Sequence, residues 1–303
     1  MDLNVDLNRP HRRFNPLTQD WVLVSPLRLQ RPWQGQVEGA PAAPPPAYDP
    51  GCYLCPGNAR AGGQVNPNYA GPFVFGNDFP SLRDEPLPAE TAAGLLQAAP
   101  ERGVCRVVCF SPRHDWGLAR LPQAALEAVV TVWAEQAEEL SAQFPAVTVF
   151  ENRGAMMGAS NPHPHGQIWA NSSIPNQLQR EREAFSQHEH AHGRCLLCEY
   201  LELELRRGER LVCANEDFVA LVPWWAYWPF ETLVLGRRHE SALVELPPHR
   251  QAALADILKR LNIRYDNLFQ APFPAAWGFH PAPAGAPRSS WHLHAHFYPP
   301  LLR

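Results

Sequence analysis

The sequence predicts an α+β fold built as two copies of one unit, and two observations carry that expectation. First, β-branched or aromatic runs closed by Gly, Pro, Asn or Asp recur at 20–26 (DWVLVSP), 71–80 (GPFVFGNDFP), 103–112 (GVCRVVCFSP) and 146–154 (AVTVFENRG), which is the pattern of strands. Between the last two, Leu126, Val129, Val130, Trp133, Ala137 and Leu140 follow helical spacing, bracketed by Pro122 and Pro145. Second, the order repeats. Each half runs through a C-x-x-C pair (Cys52/Cys55; Cys195/Cys198), an Asn-(x)-Asp-Phe element (Asn77 to Phe79; Asn215 to Phe218) and a strand ending in a lone histidine (His114; His239). A helix and a His-x-His pair (His163/His165; His294/His296) close each half. Five ordered features occurring twice predict an internal duplication, divided as 1–175 and 176–303.

The remaining elements follow the same rules. NQLQREREAFSQHEHAH (176–192) and PPHRQAALADILKRLNIRYDNLF (247–269) read as helices, and ETLVLGRRH (231–239) and WHLHAHFYPP (291–300) as strands. Thirty-three prolines and ten tryptophans imply many irregular connections held by large side chains, and EGAPAAPPPAYDPG (38–51) is expected to be an extended, weakly ordered loop.

Composition removes several function classes. With 45% hydrophobic and 18% charged residues in 303, the chain reads as a soluble globular protein with room for its own core. A formal net charge of -4 gives no basic footprint for nucleic acid. No apolar run reaches bilayer length, and MDLNVDLNRPHRRFNPLT lacks the apolar centre of a signal peptide, so no membrane partner and a cytoplasmic location are expected. In that setting the paired C-x-x-C motifs among seven cysteines read as metal binding, and Cys105, Cys109 and Cys213, inside apolar runs, as small buried hydrophobes.

The stretch GASNPHPHGQIWAN (158–171) concentrates the chemistry. Pro162 and Pro164 exclude a helix interior or central strand until Gly166 is passed, so two imidazoles sit on a stiff, uncharged turn. Cys52, Cys55, His114 and His163 offer two thiolates and two imidazoles, a set suited to tetrahedral zinc; the rival reading leaves His114 an ordinary loop histidine. The duplication proposes a second set, Cys195, Cys198, His239 and His294, against the alternative that these cysteines are core residues. His165 is then the free imidazole, able to act as a nucleophile toward phosphorus, unless it is merely a packed turn histidine. Gly154, Gly158 and Gly166 let backbone approach a phosphate, Ser160 and Gln167 are neutral donors for its oxygens, and Arg28 and Arg31 supply charge against a diphosphate.

These residues, with PHRRFNPLTQDWVLVSP, RPWQG, CYLCPGN, FGNDFPSL, FENRGAMMGASNPHPHGQIWAN, VPWWAYWPFETLVL, RYDNLFQ and WHLHAHFYPPLLR, resemble the galactose-1-phosphate uridylyltransferase family, a transferase branch of the histidine-triad superfamily. The resemblance covers nearly the whole chain. It implies two histidine-triad-like units as intertwined half-barrels of mixed, mostly antiparallel sheet with flanking helices, and a homodimer with shared active sites. It also implies a double displacement: His165 attacks the α-phosphorus of UDP-glucose and releases glucose 1-phosphate, and galactose 1-phosphate then takes the uridylyl group to give UDP-galactose. Carried over by position, Gln167 meets the phosphoryl group, Ser160 the leaving phosphate, Asn77 and Asp78 the ribose, Asn152 and Gly158 the phosphates, and Arg28 and Arg31 the nucleotide from the partner subunit.

Two departures from the family pattern are expected to matter. Some members place a second metal, zinc or iron, on a Glu and three His, matched here by Glu181, His280, His294 and His296. Both sets claim His294, so one alone is expected, and the cysteine set is favoured because the duplication predicts it. Cysteine at that place also resembles the nucleotide-sugar phosphorylases. Family members also usually continue past FYPPLLR with a segment that helps hold the hexose, so sugar recognition is expected to be incomplete within these residues. Two rivals stand beside the main reading: an ADP-glucose or dinucleotide phosphorylase using the same His165, and a zinc-stabilised nucleotide-binding protein without turnover.

Overall fold

The computed structural model describes residues 5–27, 32, 45–86 and 91–300. Arg28, Arg31 and residues 38–44 of the proline-rich stretch 38–51 therefore lie outside the described residues. In chain order the elements are β1 (His11–Asn15), β2 (Asp20–Val24), β3 (Phe73–Gly76), β4 (Thr91–Ala93), β5 (Leu96–Ala98), β6 (Gly103–Cys109), α1 (Gln123–Ser141), β7 (Ala146–Arg153) and β8 (His165–Asn171). Then come α2 (Asn176–His192), α3 (Leu196–Arg207), β9 (Leu211–Ala214), β10 (Phe218–Leu221), β11 (Thr232–Gly236), α4 (Pro248–Phe269), β12 (Ala275–His280) and β13 (His294–Tyr298).

Nine strands form one sheet in the order β3-β6-β8-β7-β12-β13-β11-β10-β9, flanked by the small hairpins β1-β2 and β4-β5. Every strand pairing among the described residues is antiparallel. The two expected half-barrels are thus joined edge to edge, with β7 and β12 at the seam. A glycine makes that seam possible: a Cβ on Gly278 would stand 2.9 Å from the Cβ of Phe150 and 3.1 Å from the carbonyl of Val149. On each side of the seam the chain runs strand, strand, helix, strand, strand, as β3-β6-α1-β7-β8 and β10-β11-α4-β12-β13, with β9 added at the far edge.

The helices α1 and α4 cover one face across both halves. Leu126, Val129, Val130 and Trp133 of α1 meet Leu254, Leu258 and Leu261 of α4 over Val149, Ile168, Val234 and Phe297 of the sheet. Fully buried Trp133 packs edge-on against Phe110, Trp277 and Phe279, which ties the two halves through one side chain. The opposite face differs between the halves. Over the second half it is sealed by Leu178 and Phe185 of α2, Leu197 and Leu201 of α3, and Leu17 and Val22 of the β1-β2 hairpin, packed on Val219, Leu221, Leu233 and Leu235. Over the first half it stays half open, because His165, Gln167 and Trp169 of β8 alternate with buried Gly166, Ile168 and Ala170.

Two of the five repeated sequence features are not structural equivalents. Asn77 to Phe79 follow β3, whereas Asn215 to Asp217 precede β10, so the two Asn-Asp-Phe elements occupy opposite ends of corresponding strands. The second His-x-His pair is also shifted. Strand β8 opens at His165 and β13 at His294, which makes His292/His294, not His294/His296, the counterpart of His163/His165.

Candidate active site and metal centres

The first cysteine set assembles from three segments. Cys52 and Cys55 lie on a tight loop in which the Cys55 amide bonds the Cys52 carbonyl at 3.1 Å; His114 follows β6 and His163 precedes β8. All four are buried. The Cys55 sulfur lies 3.6 Å from Nδ1 of His114 and 3.4 Å from Nδ1 of His163, close to the ~3.5 Å S···N edge of a tetrahedron with Zn–S of ~2.3 Å and Zn–N of ~2.0 Å. His163 Nε2 donates to the Ser111 carbonyl at 2.9 Å, which fixes the tautomer and leaves Nδ1 as a lone pair aimed at the sulfurs. Burial pushes the His163 imidazole down to about 4, so it stands neutral and ready to ligate.

The second cysteine set is built the same way with one change of membership. Cys195 caps α3, its sulfur accepting from the Cys198 amide at 3.5 Å. The Cys198 sulfur lies 3.3 Å from Nδ1 of His239 and 3.3 Å from Nδ1 of His292, whose Nε2 atoms donate to the carbonyls of Arg288 and Gly236 at 2.7 and 3.1 Å. The fourth member is His292, and His294 is not in the set. The sequence offers three alternating histidines, 292, 294 and 296, and the start of β13 at His294 sets the duplicated pair at 292/294 and not at 294/296 as the repeat predicts.

That shift removes the conflict between the two expected sets. Glu181, His280, His294 and His296 gather into a third group, separate from the cysteines, so the expectation that one alone forms is corrected. Glu181, on α2, is fully buried and lies 2.8 Å from His280 Nδ1, 3.6 Å from His294 Nε2 and 3.8 Å from His296 Nε2. Burial alone would raise its carboxyl; the charge and hydrogen bond of His280, with His294 and His296, override it and hold the group well below the usual carboxylate range. Among the described residues, His294 Nε2 and both ring nitrogens of His296 are buried without a hydrogen-bond partner. Such orphaned atoms are costly unless something ligates them, and three imidazoles with one carboxylate suit a divalent transition metal.

His165 belongs to none of these groups. Its Nδ1 donates to the His163 carbonyl at 2.7 Å, which leaves Nε2 unprotonated on the open face of the sheet. Burial lowers its imidazole below the ordinary histidine value, favouring the nucleophilic form. Beside it lies a cavity of about 340 Å³ whose walls include Asn152, Arg153, Asn161, His163 and Asp266. Gln167 sits two residues along the same face, its Oε1 accepting from Trp169 Nε1 at 3.2 Å, so its amide NH2 is free to donate. Gly158 and Ser160 lie on the exposed turn between β7 and β8, where positive φ at Gly154 (87°) and Gly158 (77°) bends the chain back over the cavity.

Asn77 and Asp78 are not in that wall. They continue β3 beyond Gly76, where Asn77 bonds the Cys105 carbonyl and Asp78 lies 3.5 Å from Arg60, two strands across from His165 and toward the other end of the face. Glu151, which drew no notice in the sequence, is fully buried in the cavity wall and accepts from Trp277 Nε1 at 2.6 Å. Its acidity inside an apolar strand, VTVFENRG, was the available signal.

Comparison with known proteins covers nearly the whole chain. Family models for the N-terminal and C-terminal domains of galactose-1-phosphate uridyl transferase match residues 2–175 and 181–303. The chain belongs to the galactose-1-phosphate uridylyltransferase family. The Haemophilus influenzae galactose-1-phosphate uridylyltransferase is 51% identical over 97% of this chain and 85% of its own length, and that of Rattus norvegicus 49% over 97% and 79%. A solved uridylyltransferase structure superposes with a TM-score of 0.74 at 30% identity, covering 95% of this chain and 85% of that one. An ADP-glucose phosphorylase from Arabidopsis thaliana, at 21% identity and a TM-score of 0.74, shares the fold.

Proposed function

We propose that the chain is a UDP-glucose:galactose-1-phosphate uridylyltransferase working by double displacement. Family membership at 51% and 49% identity to proteins of that name supports the overall reaction. The observation that supports the mechanism is the 2.7 Å bond from His165 Nδ1 to the His163 carbonyl. It holds the ring with Nε2 toward the cavity and stabilises the positive charge that develops on the ring as Nε2 bonds phosphorus.

In the first step Nε2 of His165 forms a bond to the α-phosphorus of UDP-glucose as the bond to the β-phosphate oxygen breaks, and glucose 1-phosphate leaves. In the second, a phosphate oxygen of galactose 1-phosphate attacks the same phosphorus, the P–N bond breaks, and UDP-galactose leaves with the histidine restored. Gln167 donates to the phosphoryl oxygens, and Asn152 with the turn at Gly158 and Ser160 receives the remaining phosphate charge. Asn77 and Asp78, beyond the end of β3, are proposed to meet the ribose. Arg28 and Arg31 are proposed to reach the nucleotide across the boundary of a homodimer.

Each cysteine set is proposed to hold a zinc ion, and the Glu181 set a zinc or iron ion. These ions supply structural cross-links: the first fixes the turn whose carbonyl orients His165, and the others fix α3 and α2 to the second half. No described helix is long and apolar enough to cross a membrane, and a cytoplasmic setting is proposed because zinc-type thiol sets need reduced cysteines.

Incubation with UDP-glucose radiolabelled in the uridylyl group, without acceptor, tests the reading. Acid-labile label stoichiometric with chain and lost in His165→Ala is expected. Labelling by ADP-glucose in place of UDP-glucose would move the assignment to the phosphorylase, and turnover by His165→Ala at the native rate would overturn the nucleophile.

A further inference from the structure

The third residue group stands in a definite relation to the catalytic pocket. In the first half β7 and β8 pair with Phe150 opposite Gln167, and the same register carried two residues on sets Asn152 opposite His165. In the second half β12 and β13 pair with Gly278 opposite His296 and His280 opposite His294. On the outer side, Cys109 and Val107 of β6 face His165 and Gln167, as Leu235 and Leu233 of β11 face His294 and His296. Preceding each first histidine by two residues is a cysteine-set member, and its carbonyl accepts from the next imidazole at 2.7 Å in both halves. Asn152, His165 and Gln167 therefore occupy the positions that His280, His294 and His296 occupy in the second copy.

One further difference separates the copies. The face that is open over His165 is closed over His294 by α2, and the residue α2 delivers is Glu181, whose carboxylate oxygens lie 2.8, 3.6 and 3.8 Å from the three imidazoles. An anionic group thus stands in the second copy where the first has its cavity. We infer that the Glu181 centre is a second copy of the phosphate pocket, closed from within by a carboxylate that takes the place substrate phosphate takes in the first copy. The inference rests on the reading that Asn152, His165 and Gln167 hold a phosphate. It explains why chemistry is confined to one half: the second imidazole at the nucleophile's position, His294, has its Nε2 turned to an internal anion and is sealed from substrate.

Two consequences separate this relation from an unrelated metal site on a neighbouring strand. If the positions are equivalent, the double variant Asn152→His/Gln167→His completes a three-imidazole set around His165. Purified with cobalt(II), it is expected to hold one more ion per chain than the wild type, with the added ion lost when His165→Ala is introduced. No added ion overturns the equivalence. If Glu181 occupies a phosphate position, Glu181→Ala should lose the centre's ion in buffer and recover it in inorganic phosphate, with a rise in Tm that the wild type does not show. A cavity of about 410 Å³ lies on the outer side of His296, lined also by Gln177, Glu231 and Tyr298. Recovery with formate but not phosphate, or no recovery at all, overturns the phosphate assignment, and if Glu181→Ala does not fold the double variant decides. Labelling of His165 by UDP-glucose in the wild type reports the functional reading separately, since the cobalt count does not depend on it.

Discussion

His163 holds His165 through its backbone, not its ring: the carbonyl accepts from His165 Nδ1 at 2.7 Å while the imidazole turns to Cys55 at 3.4 Å. A residue two positions from His165, the proposed nucleophile, thus transmits the geometry of the cysteine set to that imidazole. Any change that frees the Cys52–Cys55 loop should rotate His165.

Cys55→Ser is the direct check. Cys55 is fully buried, and losing one thiolate from a four-ligand set removes most of its affinity for zinc. The expected outcome is one metal ion fewer per chain by elemental analysis and a lower Tm. Turnover should fall about 100-fold, because a displacement of about 1 Å at a reacting group costs that much. Full turnover in protein shown to lack the ion would separate the cysteine set from the chemistry.

Gln167 and Trp169 make a second such pair. Because Trp169 Nε1 is a donor only, its 3.2 Å contact with Gln167 assigns the amide oxygen inward and presents the NH2 to the open face. Gln167→Glu replaces that donor with a charge that repels the phosphoryl oxygens, and kcat should fall about 100-fold or more, as when an oxyanion donor is removed. Trp169→Phe removes only the orienting bond, worth about 1 kcal/mol, so a loss of about fivefold is expected. Equal effects of the two in steady-state kinetics would mean that the amide does not face the phosphate.

The difference between what the sequence disclosed and what it hid has a physical cause. Strand and helix positions that depend on local periodicity were legible, as for α1 between Pro122 and Pro145, whereas β8 opens at His165 and not beyond Gly166 as expected, because Pro164 is the last residue there without a backbone donor. The first cysteine set and the turn at His165 were legible because proline, glycine and C-x-x-C restrict what a few residues can do. The second histidine run was not, since WHLHAH is compatible with two registers that differ by two residues. Alternation along a strand puts 292, 294 and 296 on one side in either case. Only pairing with β11 and β12, whose Leu235 and His280 stand opposite His294 from 59 and 14 positions away, fixes which histidine meets the cysteines. Glu181 was visible only by resemblance, because its role depends on α2 folding back over the sheet.

Glu151 predicts a pH-dependent stability. Burial pushes its carboxyl up from 4.5 to about 7, only partly offset by Arg153 and by the Trp277 indole N–H. The folded state therefore binds this proton more tightly than the unfolded chain does. The associated stability is fully present below about pH 4.5 and is lost as pH rises through about 7, amounting to about 3 kcal/mol by linkage. Glu151→Gln keeps an acceptor for Trp277 and carries no charge at any pH. Its chemical-denaturation midpoint should exceed the wild type's at pH 8, and the difference should vanish below pH 4.5. A constant difference across that range would place the ionised form in the native state throughout.

Cys198→Ser distinguishes the second cysteine set from the first. Cys198 is only partly buried, at the start of α3, and its partner His239 is exposed, so the centre lies near the surface and away from the cavity beside His165. Loss of this ligand should cost one ion per chain and loosen α3. The carbonyl of His292 orients His294 at 2.7 Å, so some destabilisation should spread to the Glu181 group and appear as a broader thermal transition. The His163 carbonyl, which orients His165, belongs to the other half and stays in place. Label on His165 after incubation with UDP-glucose should therefore remain stoichiometric in Cys198→Ser, while it is strongly reduced in Cys55→Ser. If both variants lost labelling equally, the two halves would be coupled through the seam at β7 and β12, where Phe150 meets Gly278, and the second ion could not be assigned a purely local role.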